Sequence, residues 1–237
     1  MQHPQIVHPR IHFINAKRKE TQYFLHFQHH DLPEDAIKVY QQAFASPPGA
    51  ICGEFSTQYL AYPACLEHIA EAAADTKLIV ILRNPIDRFI SHVNHLIGKR
   101  GRRLFADATK KQRYLLHNFS FHTEAVLHSL YSVGLARLYR YFGEDQVLVL
   151  QYENLIKDPQ AQIALAYQFL GVDSRFRVRD GQKVINKGNY AIAKPEQAER
   201  ERLTAYFADD VKRTFALCPD LDPNMWPDFA FLAHDSH

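Results

Sequence analysis

The sequence predicts an α/β fold in which a parallel sheet is flanked by helices. Apolar runs of strand length alternate with stretches whose apolar residues recur at helical spacing. Residues 78–82 and the centre of 146–151 are continuously apolar, which is typical of strands covered on both faces. The 237 residues, 46% of them hydrophobic, are enough for one globular domain with a sizeable core, so we expect a single domain over 1–237.

The first third of the chain contains short elements. Residues 11–14 and 22–25 are short, partly apolar segments that we expect to be extended. A helix begins near Asp31, because a capping residue, an early proline and acidic residues in the first turn mark a helix start. A short strand at 50–52 and a helix over 63–74 follow.

Helices dominate the rest of the chain. Residues 85–97 have the pattern of an amphipathic helix, with an apolar core face and a polar face that carries Arg88 and Ser91. The later pattern predicts a long helix over 121–142 ended by Gly143, a helix over 158–170 ended by Gly171, an irregular loop over 174–193 and a last helix from Pro195.

Composition argues against several classes of protein. The net charge of +2 gives no support for a nucleic-acid partner. No apolar run approaches the ~20 residues of a transmembrane segment, and the N-terminus has no signal-peptide core. Three widely spaced cysteines predict reduced thiols in a cytoplasmic protein. The 14 histidines lack the spacing of metal ligands, so no metal is expected.

A basic cluster occupies residues 98–103 and continues at Lys110, Lys111 and Arg113. Two interpretations are open. The cluster is either a solvated loop or an electropositive rim that faces an anionic ligand.

The junction at residues 77–91 carries the strongest functional signal. An apolar strand ends in Arg83, and Asn84 and Pro85 open a helix on which Ser91 lies two turns later. Ligands of parallel sheets bind at the carboxyl ends of strands, and helix N-termini offer free N–H groups, so the pattern predicts a phosphate site. The alternative is that Asn84 only caps the helix, with Asp87 completing an arrangement like a capping box.

The segment Leu-Arg-Asn-Pro-Ile-Asp-Arg-Phe-Ile-Ser, residues 82–91, resembles the 3′-phosphate-binding motif of sulfotransferases that use 3′-phosphoadenosine 5′-phosphosulfate (PAPS). Further segments resemble family motifs in the same order: His-Pro-Gln-Ile at 3–6, Lys-Glu-x-x-Tyr-Phe at 19–24, Gly-Glu-Phe-Ser-Thr-Gln-Tyr-Leu at 53–60, Gln-Tyr-Glu-Asn-Leu at 151–155 and Phe-Leu-Gly at 169–171. The combination points to the bacterial and Golgi-type branch, which includes the heparan sulfate sulfotransferases.

The resemblance implies a three-layer α/β/α sheet fold similar to the P-loop NTPases. It implies that Arg83 and Ser91 bind the 3′-phosphate of PAPS and that Glu20 is the general base. Tyr152 would lie against the adenine, or else be an ordinary core tyrosine.

The family's late loop, which closes over the nucleotide, corresponds to Lys187 and Gly188. The co-substrate would be PAPS, no metal would be required, and the acceptor would be a hydroxyl or amine, with a carbohydrate favoured by this branch.

The chain departs from the family in one respect. The family's first strand leads into a glycine-containing loop and a lysine that bind the 5′-phosphosulfate, whereas the first glycine here is Gly49. We therefore expect a sulfotransferase fold without that strand and P-loop, and we expect the chain as written to be a poor sulfotransferase or inactive. The alternatives are a non-catalytic nucleotide- or glycan-binding remnant and a nucleotide kinase, although a Walker lysine and magnesium-binding acids are missing.

Overall fold

The computed structural model describes residues 8–13, 20–44, 48–100, 123–177 and 195–234. Internal contacts divide the chain into two compact units. The first unit comprises Met1–Ile81, Val133–Leu150 and Asn154–Ile185. The second unit comprises Leu82–Ser132, Gln151–Glu153 and Asn186–His237.

Strands and helices alternate as the sequence predicts. The strands are β1 Ile11–Phe13, β2 Ile51–Gly53, β3 Leu78–Leu82 and β4 Val147–Gln151. The helices are α1 Glu34–Ala43, α2 Pro63–Ala72, α3 Pro85–Arg100, α4 Thr123–Leu127, α5 Ser132–Tyr141, α6 Tyr152–Lys157, α7 Pro159–Leu170 and α8 Gln197–Leu217. Short 3₁₀ helices span Tyr23–Phe27, Tyr59–Ala61, Glu144–Gln146, Pro223–Met225 and Pro227–His234.

The described strands form two pairs. β1 is parallel to β2, with Ile11 opposite Ile51, and β3 is hydrogen-bonded to β4. The strand predicted at 78–82 is therefore confirmed, but its burial is incomplete: only Leu82 is fully buried, and the other four residues are partly exposed. Within the described residues, no helix is long and apolar enough to cross a membrane.

Helix α7 organises one core of the first unit. Asp158 caps its start by accepting a hydrogen bond from the Ala161 N–H at 3.0 Å, and Gly171 ends it with a φ of 73°. The buried side chains of Ile163 and Tyr167 then pack with partly buried neighbours from β1 and β2. These local start and stop signals explain why the helix and its end were predictable from the sequence.

A second cluster in the first unit is aromatic. Phe24 is fully buried, with its ring centroid 4.5 Å from that of Tyr40 and 5.6 Å from that of Tyr59. The prediction that residues 22–25 are extended is wrong, because Tyr23–Phe27 is a 3₁₀ helix. Packing of Phe24 against two residues distant in sequence outweighs the weak local pattern.

Helix α3 supplies the core of the second unit. Ile86, Phe89 and Val93 on its apolar face are all fully buried, and Phe89 lies 6.2 Å from Phe207 of α8 between ring centroids. Trp226, also fully buried, packs against Phe215 of α8. The predicted amphipathic helix is confirmed and extends to Arg100.

The long helix predicted over 121–142 is wrong in one respect. The described part consists of two helices, α4 and α5, which are separated before Ser132. The carboxylate of Asp210 accepts hydrogen bonds from the backbone N–H groups of Tyr131, at 2.7 Å, and Ser132, at 3.1 Å. A cap supplied from α8 therefore starts a new helix that nothing in the local sequence signals.

Gly171 provides a test of the helix end. Replacing Gly171 with alanine should lower the free energy of unfolding by about 1 kcal/mol, because its left-handed backbone conformation is unfavourable for a residue with a Cβ. Urea unfolding followed by circular dichroism measures the loss. Gly171→Asn should retain most of the stability, and equal stabilities of the wild type and Gly171→Ala would contradict this account.

Candidate anion-binding site

The turn from β3 to α3 is built around Asn84, which is 1% exposed. Its side-chain oxygen Oδ1 accepts hydrogen bonds from the backbone N–H groups of Ile86, at 3.0 Å, and Asp87, at 3.4 Å. Asn84 is thus the cap of α3, as one of the two sequence interpretations held. The turn places Arg83 at the carboxyl end of β3, directly before the helix.

The start of α3 has no backbone donor left for a ligand. The N–H of Asn84 donates to Glu153 Oε1 at 2.8 Å, and Pro85 has no N–H. The N–H groups of Ile86 and Asp87 both donate to the Asn84 side chain. The expectation that this helix start offers free N–H groups is therefore wrong, whereas the phosphate site itself stays a prediction. An anion at this turn has to be held by side chains.

Glu153 and Asp228 hold the turn from two directions. Glu153 accepts from the Asn84 N–H with one oxygen and from the indole N–H of Trp226, at 2.9 Å, with the other. Asp228 Oδ2 accepts from the Asn84 amide Nδ2 at 2.7 Å. The orientation of the Asn84 amide is therefore fixed at both ends.

Arg200 of α8 pairs with two of the carboxylates around the turn, Asp228 and Asp87. Its Nε and Nη2 donate to the two oxygens of Asp228 at 2.5 and 2.6 Å, and Nη2 also donates to Asp87 at 3.0 Å. Burial by itself raises the pKa of Asp228, but the hydrogen bonds from Arg200 and Asn84 outweigh it, and the net shift is downward. The Asp87 carboxylate thus pairs with Arg200, rather than completing a capping box with the Asn84 N–H.

Arg83 is fixed at its backbone and presents its side chain to the site. Its carbonyl accepts a hydrogen bond from the hydroxyl of Tyr131 at 2.8 Å, and its guanidinium lies 5.0 Å from the ring centroid of Tyr152. Within the described residues, no carboxylate pairs with this guanidinium. Stacking on an aromatic ring orients the group and leaves its N–H fork available for an anion.

A second guanidinium lies near the first. Arg88 Nη1 donates to the Ala125 carbonyl at 3.2 Å and to Ser129 Oγ at 3.1 Å. Burial lowers the pKa of Arg88, and the nearby charge of Arg83 lowers it further. Ser91 is partly exposed on the same helix, one turn beyond Arg88. Two neighbouring cations and a hydroxyl are chemically suited to a phosphate or sulfate group.

The other predicted site residues have different outcomes. Glu20, in the first unit, is partly exposed, and its Oε2 accepts from Thr57 Oγ1 at 3.0 Å and from Gln22 Nε2 at 3.2 Å. Lys187 and Gly188 lie outside the described residues, as do the side chains of the basic cluster at 98–113. The role of each stays a prediction.

The first unit also contains a carboxylate whose bonding the sequence did not reveal. Glu54 follows β2 and accepts hydrogen bonds from the hydroxyls of Tyr40, at 3.0 Å, and Tyr59, at 3.4 Å. Burial raises the pKa of Glu54, although the hydrogen bonds from Tyr40, Tyr59 and Ser56 oppose the shift. The motif at 53–60 drew attention to this segment, but the partner on α1 is not local.

The same segment holds the chain next to Glu20. Ser56 Oγ accepts from the Gln22 N–H at 3.0 Å and lies 3.4 Å from Thr21 Oγ1. With the bond from Thr57 to the Glu20 carboxylate, three consecutive residues, 20–22, are tied to residues 56 and 57. The structure therefore fixes Glu20 through the loop that follows β2.

A model of the sulfotransferase family matches residues 2–176. The chain belongs to the sulfotransferase family. The crystal structure of a sulfotransferase from Alicyclobacillus acidocaldarius superposes with a TM-score of 0.71 at 28% sequence identity, covering 93% of this chain and 90% of that one. The family and the α/β sulfotransferase fold predicted from the sequence are both confirmed.

Two curated relatives of this sulfotransferase are named for the glycan that they modify. Human heparan sulfate glucosamine 3-O-sulfotransferase 3B1 is 31% identical over 126 residues, which are 52% of this chain and 32% of that protein. Mouse heparan sulfate glucosamine 3-O-sulfotransferase 6 is 30% identical over 124 residues, 52% of this chain and 36% of that protein. The chain spans about a third of the length of the curated relatives that it matches.

The sulfotransferase family match ends before α8. Arg200, Trp226 and Asp228, which hold the turn at Asn84, therefore lie outside the matched region of residues 2–176. Sequence reasoning missed all three, since no motif was recognised beyond residue 188.

Glu54 gives the protein a pH-dependent contribution to stability. A carboxyl group with a raised pKa in the folded state stabilises the protein below its usual pKa, and that contribution is lost as the pH rises through the folded value. As the pH rises above about 4.3, the ordinary pKa of a glutamate, the free energy of unfolding of the wild type should therefore fall relative to that of Glu54→Gln, because glutamine does not titrate. Urea unfolding at a series of pH values measures the difference, and a pH-independent difference would contradict the assignment.

Proposed function

We propose that this sulfotransferase transfers a sulfuryl group from PAPS to a hydroxyl or amine group of a carbohydrate. The observation that carries the proposal is the Arg83 guanidinium at the end of β3, stacked on Tyr152 and close to the charge of Arg88. Family membership supports PAPS as the donor. The names of the curated relatives support a glycan as the acceptor.

In this proposal Arg83 binds the 3′-phosphate of PAPS through its guanidinium fork, and Ser91 donates a hydrogen bond from its hydroxyl. Because the backbone N–H groups at the start of α3 are already bonded, the side chains supply the whole interaction at this turn. Arg88 adds positive potential without leaving its contacts with Ala125 of α4 and with Ser129. Tyr152 orients Arg83 with one face of its ring and has a second face for the adenine.

Lys187 and Gly188 complete the nucleotide site in the proposal. A lysine beside a glycine offers an ammonium group and an accessible backbone N–H to a phosphate. The resemblance of this segment to the family's late loop supports this assignment, although the segment lies beyond the matched residues 2–176.

The proposed reaction is a direct in-line displacement. The acceptor oxygen or nitrogen forms a bond to the sulfur as the bond from sulfur to the 5′-phosphate oxygen breaks. Adenosine 3′,5′-bisphosphate leaves with the electron pair of that bond, and Glu20 takes the proton of the acceptor. Among the described residues, Thr57 and Gln22 donate hydrogen bonds to the Glu20 carboxylate, both to Oε2, and in the proposal Oε1 accepts the proton.

We also propose a cytoplasmic location. The chain has three cysteines, Cys52, Cys65 and Cys218, which are odd in number and widely spaced, and this usage supports a reducing compartment.

Arg83 is the most direct test of the proposed donor site. Arg83→Ala should weaken the binding of adenosine 3′,5′-bisphosphate by 1.5–3 kcal/mol, roughly 10- to 150-fold, because a charge-assisted contact is lost. Arg83→Lys should fall between, since it keeps the charge but not the fork. Isothermal titration calorimetry measures the affinities, with Arg137→Ala, an exposed arginine of α5, as the matched control. Equal affinities of the wild type and Arg83→Ala would refute the site.

Glu20 tests the proposed chemistry separately from binding. Glu20→Gln should reduce turnover of PAPS and a glycan acceptor by roughly 100-fold or more, the scale of a general base, while the nucleotide affinity stays unchanged. Glu67→Gln, an exposed glutamate of α2, serves as the control and should keep full turnover. Near-normal turnover by Glu20→Gln would mean that Glu20 is only a surface carboxylate.

A further inference from the structure

The C-terminal part of the chain controls the orientation of the Asn84 amide. Asn84 caps α3 only while its oxygen, and not its nitrogen, faces the N–H groups of Ile86 and Asp87. Asp228 enforces this orientation, because its carboxylate accepts a hydrogen bond from the Asn84 amide nitrogen at 2.7 Å. Without it, the amide could rotate and the cap would be lost.

Arg200 in turn fixes Asp228. Two nearly parallel hydrogen bonds, at 2.5 and 2.6 Å, join the guanidinium to both carboxylate oxygens, and the Asp228 side chain is only 10% exposed. A bidentate pair of low exposure holds its geometry much better than an ordinary surface ion pair. The third bond of Arg200, to Asp87 on the first turn of α3, ties the same guanidinium to the helix.

The residue held by this arrangement is the neighbour of Arg83. Arg83 and Asn84 share a peptide bond, and the Asn84 N–H is fixed by Glu153, which also binds Trp226. The carbonyl of Arg83 is fixed by Tyr131, whose own N–H is bonded to Asp210 of α8. The backbone of Arg83 is thus held in place by Tyr131 and by the bonded Asn84 N–H. Tyr131 and Glu153 are in turn bonded to Asp210 of α8 and to Trp226 after it.

A displacement of the Arg83 backbone is costly at this turn, because the start of α3 offers no replacement donor. No backbone N–H at the start of α3 is free to take over the anion, so the affinity depends on where the side chains lie. Small displacements of a binding group are known to cause large losses.

We propose that Asp228 and Arg200 are positioning residues for the 3′-phosphate site, acting through Asn84 on Arg83. This inference rests on the proposed function, since it takes the 3′-phosphate of the nucleotide as the ligand of Arg83. It assigns to the region beyond the family match a role in nucleotide selection.

The test compares two nucleotides that differ only in the 3′-phosphate. Adenosine 3′,5′-bisphosphate and adenosine 5′-monophosphate are titrated into the full 237-residue chain, and the ratio of their affinities is the readout. Partial unfolding lowers both affinities equally and leaves the ratio unchanged. A defect confined to the 3′-phosphate site lowers the ratio.

We expect Asp228→Ala to lower the ratio by a factor of roughly 3 to 10, within the range of a lost helix cap. Arg200→Gln should also lower the ratio of the two nucleotide affinities. This milder variant tests the positioning role if Asp228→Ala does not fold. The matched control is Asp158→Ala, which removes the capping carboxylate of α7 and should leave the ratio unchanged.

The outcomes separate the inference from the function on which it rests. A wild type that binds both nucleotides equally would contradict the proposed 3′-phosphate site itself. A wild type that prefers the bisphosphate, with the same ratio in Asp228→Ala or in a folded Arg200→Gln, would leave the proposed function standing and overturn the positioning role.

Discussion

The hydrogen bond between the Asn84 amide and the Asp228 carboxylate determines what the turn after β3 can offer to a ligand. It orients the amide oxygen toward the first N–H groups of α3, so the Asn84 side chain caps the helix and a ligand does not. A helix start of this kind contributes its dipole but no donors. Recognition of an anion is therefore left to side chains, and Arg83 is the one that the turn places at the strand end.

The charges around the turn are arranged in two groups. Asp87 and Asp228 are both bonded to Arg200, which offsets negative charge that would otherwise repel an anion. Arg83 and Arg88 lie near each other, and the lowered pKa of Arg88 reflects burial together with this like charge. An anion bound beside Arg83 would relieve the repulsion between the two guanidiniums, which favours binding at this point of the fold.

Local sequence signals predicted much of the fold and the part of the site that lies at the turn from β3 to α3. A continuous apolar run, a capping asparagine and a following proline were enough to locate β3, α3 and the position of Arg83 between them. These features depend on residues within a few positions of one another, so the sequence displays them directly.

Contacts between distant residues explain what the sequence could not show. Asp228 lies 144 positions from Asn84, and Asp210 lies 79 from Tyr131, so neither the bonding of the cap nor the break before α5 has a local signature. The bonding of the N–H groups at the start of α3 combines both kinds of contact. The cap by Asn84 on Ile86 and Asp87 is local and was one of the two sequence interpretations, whereas Glu153, which accepts from the Asn84 N–H, lies 69 positions away and has no local signature.

A crystal structure of the sulfotransferase with adenosine 3′,5′-bisphosphate tests the central claim most directly. The account predicts that the 3′-phosphate oxygens lie within hydrogen-bond distance of the Arg83 guanidinium and the Ser91 hydroxyl, with Asn84 still capping α3. A phosphate bonded instead to the backbone N–H groups of Ile86 and Asp87, with the Asn84 side chain displaced, would contradict it.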